Sequence, residues 1–256
     1  RVFALAWAVA GVTAASAGMV VGTVSGLNQD SLIAIGLAAA FSRSAWIGMV
    51  TALVALGLLV RRSRATSGAG QALVTTAALA ALVAVGVIAS RPGGFAQRGI
   101  APATAAIQGG EIAPMEQISL SSRARQLQIA WREVQRAPLT GLGAANAPIV
   151  TWLDTPESEH ERVWLPVHSV PLLVLEELGL PGLALWLASV IAPFALTWRR
   201  MRNRSASLWE LVWLAALAAL AVIGLVDYYP WGSAEGRALW MATWGLWLAA
   251  STQDGI

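Results

Sequence analysis

Six long stretches of mostly apolar sequence, near 2–25, 32–60, 71–90, 181–198, 208–226 and 237–252, constrain this chain more than any other feature. A helix needs about 20 apolar residues to cross the hydrocarbon core of a bilayer. A water-soluble domain of 256 residues has nowhere to bury so much apolar side chain when 57% of its residues are hydrophobic and only 12% are charged. The bilayer is therefore the solvent this sequence is written for. The stretch 32–60 is too long for one perpendicular span, so it is tilted or broken, with Ser42 as the candidate break.

The charged residues set the orientation. All 17 basic residues are arginine. Arg61, Arg62 and Arg64 share one short connection without an acid, and Arg199, Arg200, Arg202 and Arg204 share another. The positive-inside rule places both connections in the cytoplasm. The segment 91–167 carries seven arginines and seven acids, as expected of a long, locally neutral segment moved across the membrane. The computed pI of about 10.5 does not point to nucleic acid, because the arginines cluster beside apolar spans, where they set topology. Cysteine is absent, which excludes disulfides, thiolate metal sites and thiol catalysis. The chain opens at Arg1 inside an apolar stretch and shows no signal-cleavage pattern, so it is expected to be part of a longer protein.

The expected fold is all-α, a polytopic transmembrane helical bundle with a large, partly helical extracytoplasmic loop. Membrane helices fill 1–90, the loop fills 91–167, and membrane helices return over 168–256. Within the loop, Ser121 to Arg136 has Leu127, Ala130, Trp131 and Val134 at helical spacing, Pro138 ends the helix, and Gly141 and Gly143 mark a turn.

Candidate site residues are the polar groups that stand where polarity is expensive. Arg43, in Phe41-Ser42-Arg43-Ser44-Ala45-Trp46, lies 18 residues before cytoplasmic Arg61, which is about 27 Å of helix and brings it near the outer interface. It either meets an anionic head group there or simply snorkels to the interface. Asp227 ends the span 208–226 at the outer face, as a functional carboxylate or as a helix-end residue in the aromatic belt of Tyr228, Tyr229 and Trp231. His168, two residues after Pro166, can exchange a proton near neutral pH, and its alternative is a structural histidine at an interface. Arg123, Arg125, Arg132 and Arg136 lie along the loop helix, where guanidiniums can clamp a diphosphate bidentately or form a solvated face. His160 sits among glutamates and reads as solvated. No metal-ligand spacing and no phosphate-cradling glycine loop is present, so no metal or cofactor is expected.

Taken in order, three motifs resemble the C-terminal half of the bacterial O-antigen ligase and O-antigen polymerase family. Ser42-Arg43-Ser44-Ala45-Trp46 is similar to its Ser-Arg-Gly-Ala. The Arg123 helix leads to Pro138-Leu139-Thr140-Gly141-Leu142-Gly143, like its Pro-x-x-Gly-x-Gly. His168-Ser169 through Glu177-Leu178-Gly179-Leu180-Pro181-Gly182 resembles its His-Asn-x-x-Leu with Glu-x-Gly-x-x-Gly. The resemblance implies a glycosyltransferase of the inner (cytoplasmic) membrane, with its active site on the periplasmic side. It would move a glycan from an undecaprenyl-diphosphate carrier to an acceptor glycan or glycolipid, in contact with membrane lipid. It further implies that Arg43 and Arg123 bind the diphosphate, with Arg125 competing for the loop role, that His168 is the essential catalytic histidine of the loop, and that Asp227 is the late catalytic acid, orienting His168 or an arginine. Ser169 and Ser44 depart from the family's asparagine and glycine. The competing class is a transporter or flippase of a lipid-linked or anionic substrate, which intramembrane arginine and aspartate would also serve. A polar helix in a long loop and the lack of an internal repeat argue against it.

Overall fold

The computed structural model describes residues 43–63, 114–156 and 165–252, and the chain falls into two compact units, Arg1–Ile112 and Ala113–Ile256. The expected spans 2–25 and 71–90 lie outside the described residues, as does His160. Among the described residues every regular element is a helix.

The first unit contributes α1, Arg43–Ser63, whose last turn carries Arg61 and Arg62. Cations there complement the partial negative charge of a helix C-terminus. The second unit holds the others: α2 Pro114–Arg136, α3 Ala147–Leu153, α4 Val170–Arg202, α5 Leu208–Val226, α6 Tyr229–Gly232 and α7 Ala234–Thr252. α4 and α5 are long and apolar enough to cross a membrane. The stretch 208–226 coincides with α5, 181–198 lies inside α4, and 237–252 lies inside α7.

α5 starts where Ser207 caps it, its hydroxyl accepting from the Glu210 backbone N–H at 3.1 Å. Glu210 itself is fully buried, and it holds three helices together. Thr197 of α4 donates to Glu210 Oε1 at 2.7 Å, Arg200 Nε donates to Oε2 at 3.0 Å, and Trp247 Nε1 of α7 donates to the Thr197 hydroxyl at 3.0 Å. A carboxylate with no exposed surface needs such partners, because an unpaired buried charge is strongly destabilising. α5 packs on both α4 and α7, while α2 and α6 pack on α4.

α4 is two helical pieces joined at Gly179, where φ is 67° and ψ is −168°. The break follows from counting backbone donors. The carbonyls of Glu176 and Glu177 would ordinarily accept from residues 180 and 181, but Pro181 has no N–H and the Leu180 N–H bonds Pro138 O at 2.9 Å. The freed carbonyls are taken by the turn after α2, with Leu142 N donating to Glu176 O and Gly143 N to Glu177 O, both at 2.9 Å. The two glycine-bearing motifs are thus the two halves of one backbone joint. A Cβ on Gly141 would stand 2.3 Å from Glu177 C and O, and one on Gly179 would stand 2.3 Å from Leu139 O.

This joint fixes α2 against the start of α4, and it should tolerate no side chain. Gly179→Ala combines a backbone conformation that costs a non-glycine residue roughly 1–3 kcal/mol with an overlap that costs a similar amount. The thermal midpoint of the purified protein should fall by roughly 10 °C. An unchanged midpoint in a melting curve would mean that this backbone pairing does not hold the unit together.

Candidate active site

α2 turns a mixed face toward α4. Gln126, Ile129, Ala130, Glu133 and Val134 are buried, at helical spacing. Ala130 and Val134 were expected on the apolar stripe, but Leu127 and Trp131 are 47% and 54% exposed. Two polar residues, Gln126 and Glu133, occupy the inner positions instead, and each has a polar partner waiting there.

Glu133 meets Thr151 of α3, whose hydroxyl lies 3.2 Å from both carboxylate oxygens, and it is hydrogen-bonded to Glu176 of α4. Both glutamates are 2% exposed. Two carboxyls side by side with so little solvent are costly to charge together. Glu177, next in the chain, accepts from Trp231 Nε1 at 3.2 Å and ties the joint to α6. Trp231 packs against both apolar clusters of the unit, one around Val167 and Leu173, the other around Val170, Val174 and Trp186. Glu133 also lines a small groove with Ile129, Arg132, Arg136, Asp154 and Thr155, across which Arg136 and Asp154 are ion-paired.

His168 stands immediately before Ser169, the N-cap of α4, and is half-buried. Its Nδ1 lies 2.8 Å from Gln126 Oε1, across 42 residues of sequence. The Tyr228 ring meets the imidazole edge to face, with centroids 5.1 Å apart and planes at 87°. Tyr228 follows Asp227, the C-cap of α5, whose Oδ1 accepts from the Tyr229 N–H at 3.3 Å. Asp227 therefore begins α6 as well as ending α5, and it acts electrostatically on His168. Burial pulls the His168 pKa below 6.5, and the Arg123 cation lowers it further, against the opposing influence of Asp227.

Of the five sequence-derived candidates, Arg123 and Asp227 thus both act electrostatically on His168, from separate places in the chain. Arg125 is set apart from Arg123 by α2 itself, because two residues turn a helix by about 200°. Gln126, three residues after Arg123, returns to Arg123's side of the helix. Arg43 is the first residue of α1, in the other unit. Gln126 and Tyr228 were not among the candidates. Their signals were faint ones: Gln126 lies one helical turn after Arg123, and Tyr228 is a neighbour of Asp227.

The described chain is thus an all-α protein with two helices of membrane-crossing length and a polar cluster around an imidazole just ahead of one of them. A family model described as O-antigen ligase matches residues 31–187, more than half of the 256 residues. The chain belongs to the O-antigen ligase family, bacterial inner-membrane enzymes of ligase or polymerase type that act on lipid-linked glycans and acceptor substrates. The match takes in Arg43, Arg123, His168 and Glu177, and Asp227 lies beyond it. No curated protein and no solved structure matches the chain.

Proposed function

We propose that this protein is a metal-independent glycosyltransferase that moves a glycan from undecaprenyl diphosphate to an acceptor sugar on the outer face of the cytoplasmic membrane. The observation that carries the reading is the half-buried His168 imidazole, held at Nδ1 2.8 Å from Gln126 Oε1 and edge-to-face with Tyr228, its pKa lowered by burial and by the Arg123 cation and raised by Asp227. A neutral imidazole beside a guanidinium is what transfer from a diphosphate requires. The acceptor hydroxyl oxygen attacks the anomeric carbon as His168 takes its proton, and the C–O bond to the diphosphate breaks with its electron pair leaving on the phosphate oxygen. Arg123 stabilises that developing charge, with Arg43 as the second guanidinium on the family pattern. Asp227 steadies the imidazolium that forms. Because the acceptor oxygen displaces the diphosphate in a single step, the anomeric configuration inverts.

The reading fixes a pH dependence. His168 must be neutral to accept a proton, so activity should be lost as pH falls through its lowered pKa, giving an acid limb in kcat/KM centred below 6.5. Asp227 is the one influence that raises that pKa. Asp227→Asn should therefore move the limb to still lower pH, and a limb that moves upward would remove Asp227 from the electrostatics of His168.

It also fixes a sidedness, with the polytopic bundle spanning the membrane and loop 91–167 outside. Because the chain has no cysteine, single cysteines report cleanly. In intact cells a membrane-impermeant thiol reagent should label Ser121→Cys, exposed on α2, and spare Ser205→Cys, in the turn after the α4 arginines. The reverse pattern would put the site on the cytoplasmic side and end the proposal.

A further inference from the structure

Gln126 is the most buried polar side chain that touches His168, being 5% exposed and 2.8 Å from the ring. It belongs neither to the glycine motifs nor to the diphosphate-binding pattern, and nothing in the proposed chemistry yet uses it. We propose that Gln126 is the positioning residue of His168, accepting a hydrogen bond from Nδ1–H through Oε1 and so leaving the Nε2 lone pair directed at the acceptor hydroxyl.

A neutral imidazole carries its proton on one nitrogen or the other, and only the bare nitrogen can act as a base. An acceptor held at Nδ1 settles the choice. Most histidine bases are held in this way by a carboxylate, which also raises the basicity of the ring. An amide oxygen orients the ring equally well without adding a charge. That distinction matters here, because the groups facing the ring from each packed element are Arg123 on α2, Asp227 at the end of α5 and the Tyr228 edge, and Asp227 already favours the imidazolium. A second carboxylate at position 126 would hold the proton on His168 at neutral pH and silence it as a base. Gln126 is fixed for the task by its place on α2. It sits one turn beyond Arg123, so a single rigid helix sets the distance between the diphosphate clamp and the base. The backbone joint at Gly141 and Gly179 then fixes the end of that helix to α4, the helix that His168 immediately precedes.

The inference rests on the reading of His168 as the base, and its test separates the two. With only two histidines in the chain, His160→Ala leaves a single imidazole for 15N labelling. The 15N spectrum of the intact protein in detergent should show His168 protonated on Nδ1 and bare on Nε2 above its pKa, with no substrate present. Gln126→Leu should lose that single tautomer and slow turnover by roughly 10- to 100-fold, by analogy with the outer partners that orient metal-ligating histidines, with KM for the donor little changed. Gln126→Glu should keep the tautomer and raise the His168 pKa by roughly one unit or more. Its activity should be low at neutral pH and recover toward the parent at higher pH, a rescue that a merely structural role for Gln126 would not produce. A parent spectrum with Nδ1 bare, or a tautomer unchanged in Gln126→Leu, overturns the role of Gln126 whatever His168 does. A correct tautomer in a protein whose His168→Ala variant is fully active would instead overturn the base assignment and leave the positioning contact standing.

Discussion

His168→Ala should slow glycan transfer by roughly 10²- to 10⁴-fold, the usual contribution of a general base, while the protein stays folded and binds its lipid-linked donor as before. The expectation of an intact fold comes from the surroundings of the ring. His168 is half-buried and makes one hydrogen bond and one ring contact, whereas the joint beside it is built from backbone groups of Pro138, Leu142, Gly143, Glu176, Glu177 and Leu180. Removing the imidazole leaves that joint in place. Donor binding is expected to survive because the diphosphate is assigned to guanidiniums. His160→Ala, in the acidic run of the loop, should leave both quantities near the parent values. The measurement is turnover beside donor binding for each variant in detergent, and a His168→Ala protein that transfers at the parent rate would remove the base from the scheme.

Arg123→Lys should impair transfer by roughly 10²-fold or more, the scale of losing one preorganised donor to a developing oxyanion, although its charge is kept. A planar guanidinium can bond two oxygens of a diphosphate in parallel, and an ammonium is a point charge. Arg125→Lys should be nearly silent, because α2 turns Arg125 to another side. The pair of variants therefore tests geometry at constant charge. Equal losses in both would mean that the helix supplies only a diffuse positive field, and equal silence would move the diphosphate elsewhere. Arg123→Lys also keeps the cation that helps hold His168 neutral, so its acid limb should stay where the parent's is.

The features legible in the sequence were those that depend on neighbours a few residues away. The span 208–226 ends where α5 ends because apolar composition and Asp227 both change there. The loop helix ends at Arg136 because Pro138 cannot continue it, and Gly141 and Gly143 do take positive φ. The start of that helix was less visible. It reaches back to Pro114, through a polar stretch with no apolar rhythm to announce it.

What stayed hidden depends on partners far along the chain. Gln126 reads as a solvated helix residue until His168, 42 positions later, is folded against it. Leu127 and Trp131 read as the inner face because an apolar count cannot foresee that Gln126 and Glu133 are satisfied inside, by His168 and by Thr151 and Glu176. Glu176 and Glu177 fall outside the expected span 181–198. The helix in fact continues back to Val170, and the break at Gly179 turns their carbonyls to the loop. Arg123 and Arg125 could not be ranked from their types, which are identical, but only from the face each occupies once α2 is fixed.

The central claim is that this protein breaks a sugar–diphosphate bond at the His168 site rather than carrying an intact lipid-linked substrate across the bilayer. The most direct test follows undecaprenyl diphosphate released from an undecaprenyl-diphosphate-linked glycan by the intact protein in proteoliposomes, with an acceptor glycan present and divalent cations removed by chelator. The account predicts release in step with glycosylated acceptor of inverted anomeric configuration, and its loss in His168→Ala. Substrate that crosses the bilayer with its sugar–diphosphate bond unbroken, or release that requires added Mg²⁺ or Mn²⁺, would contradict it.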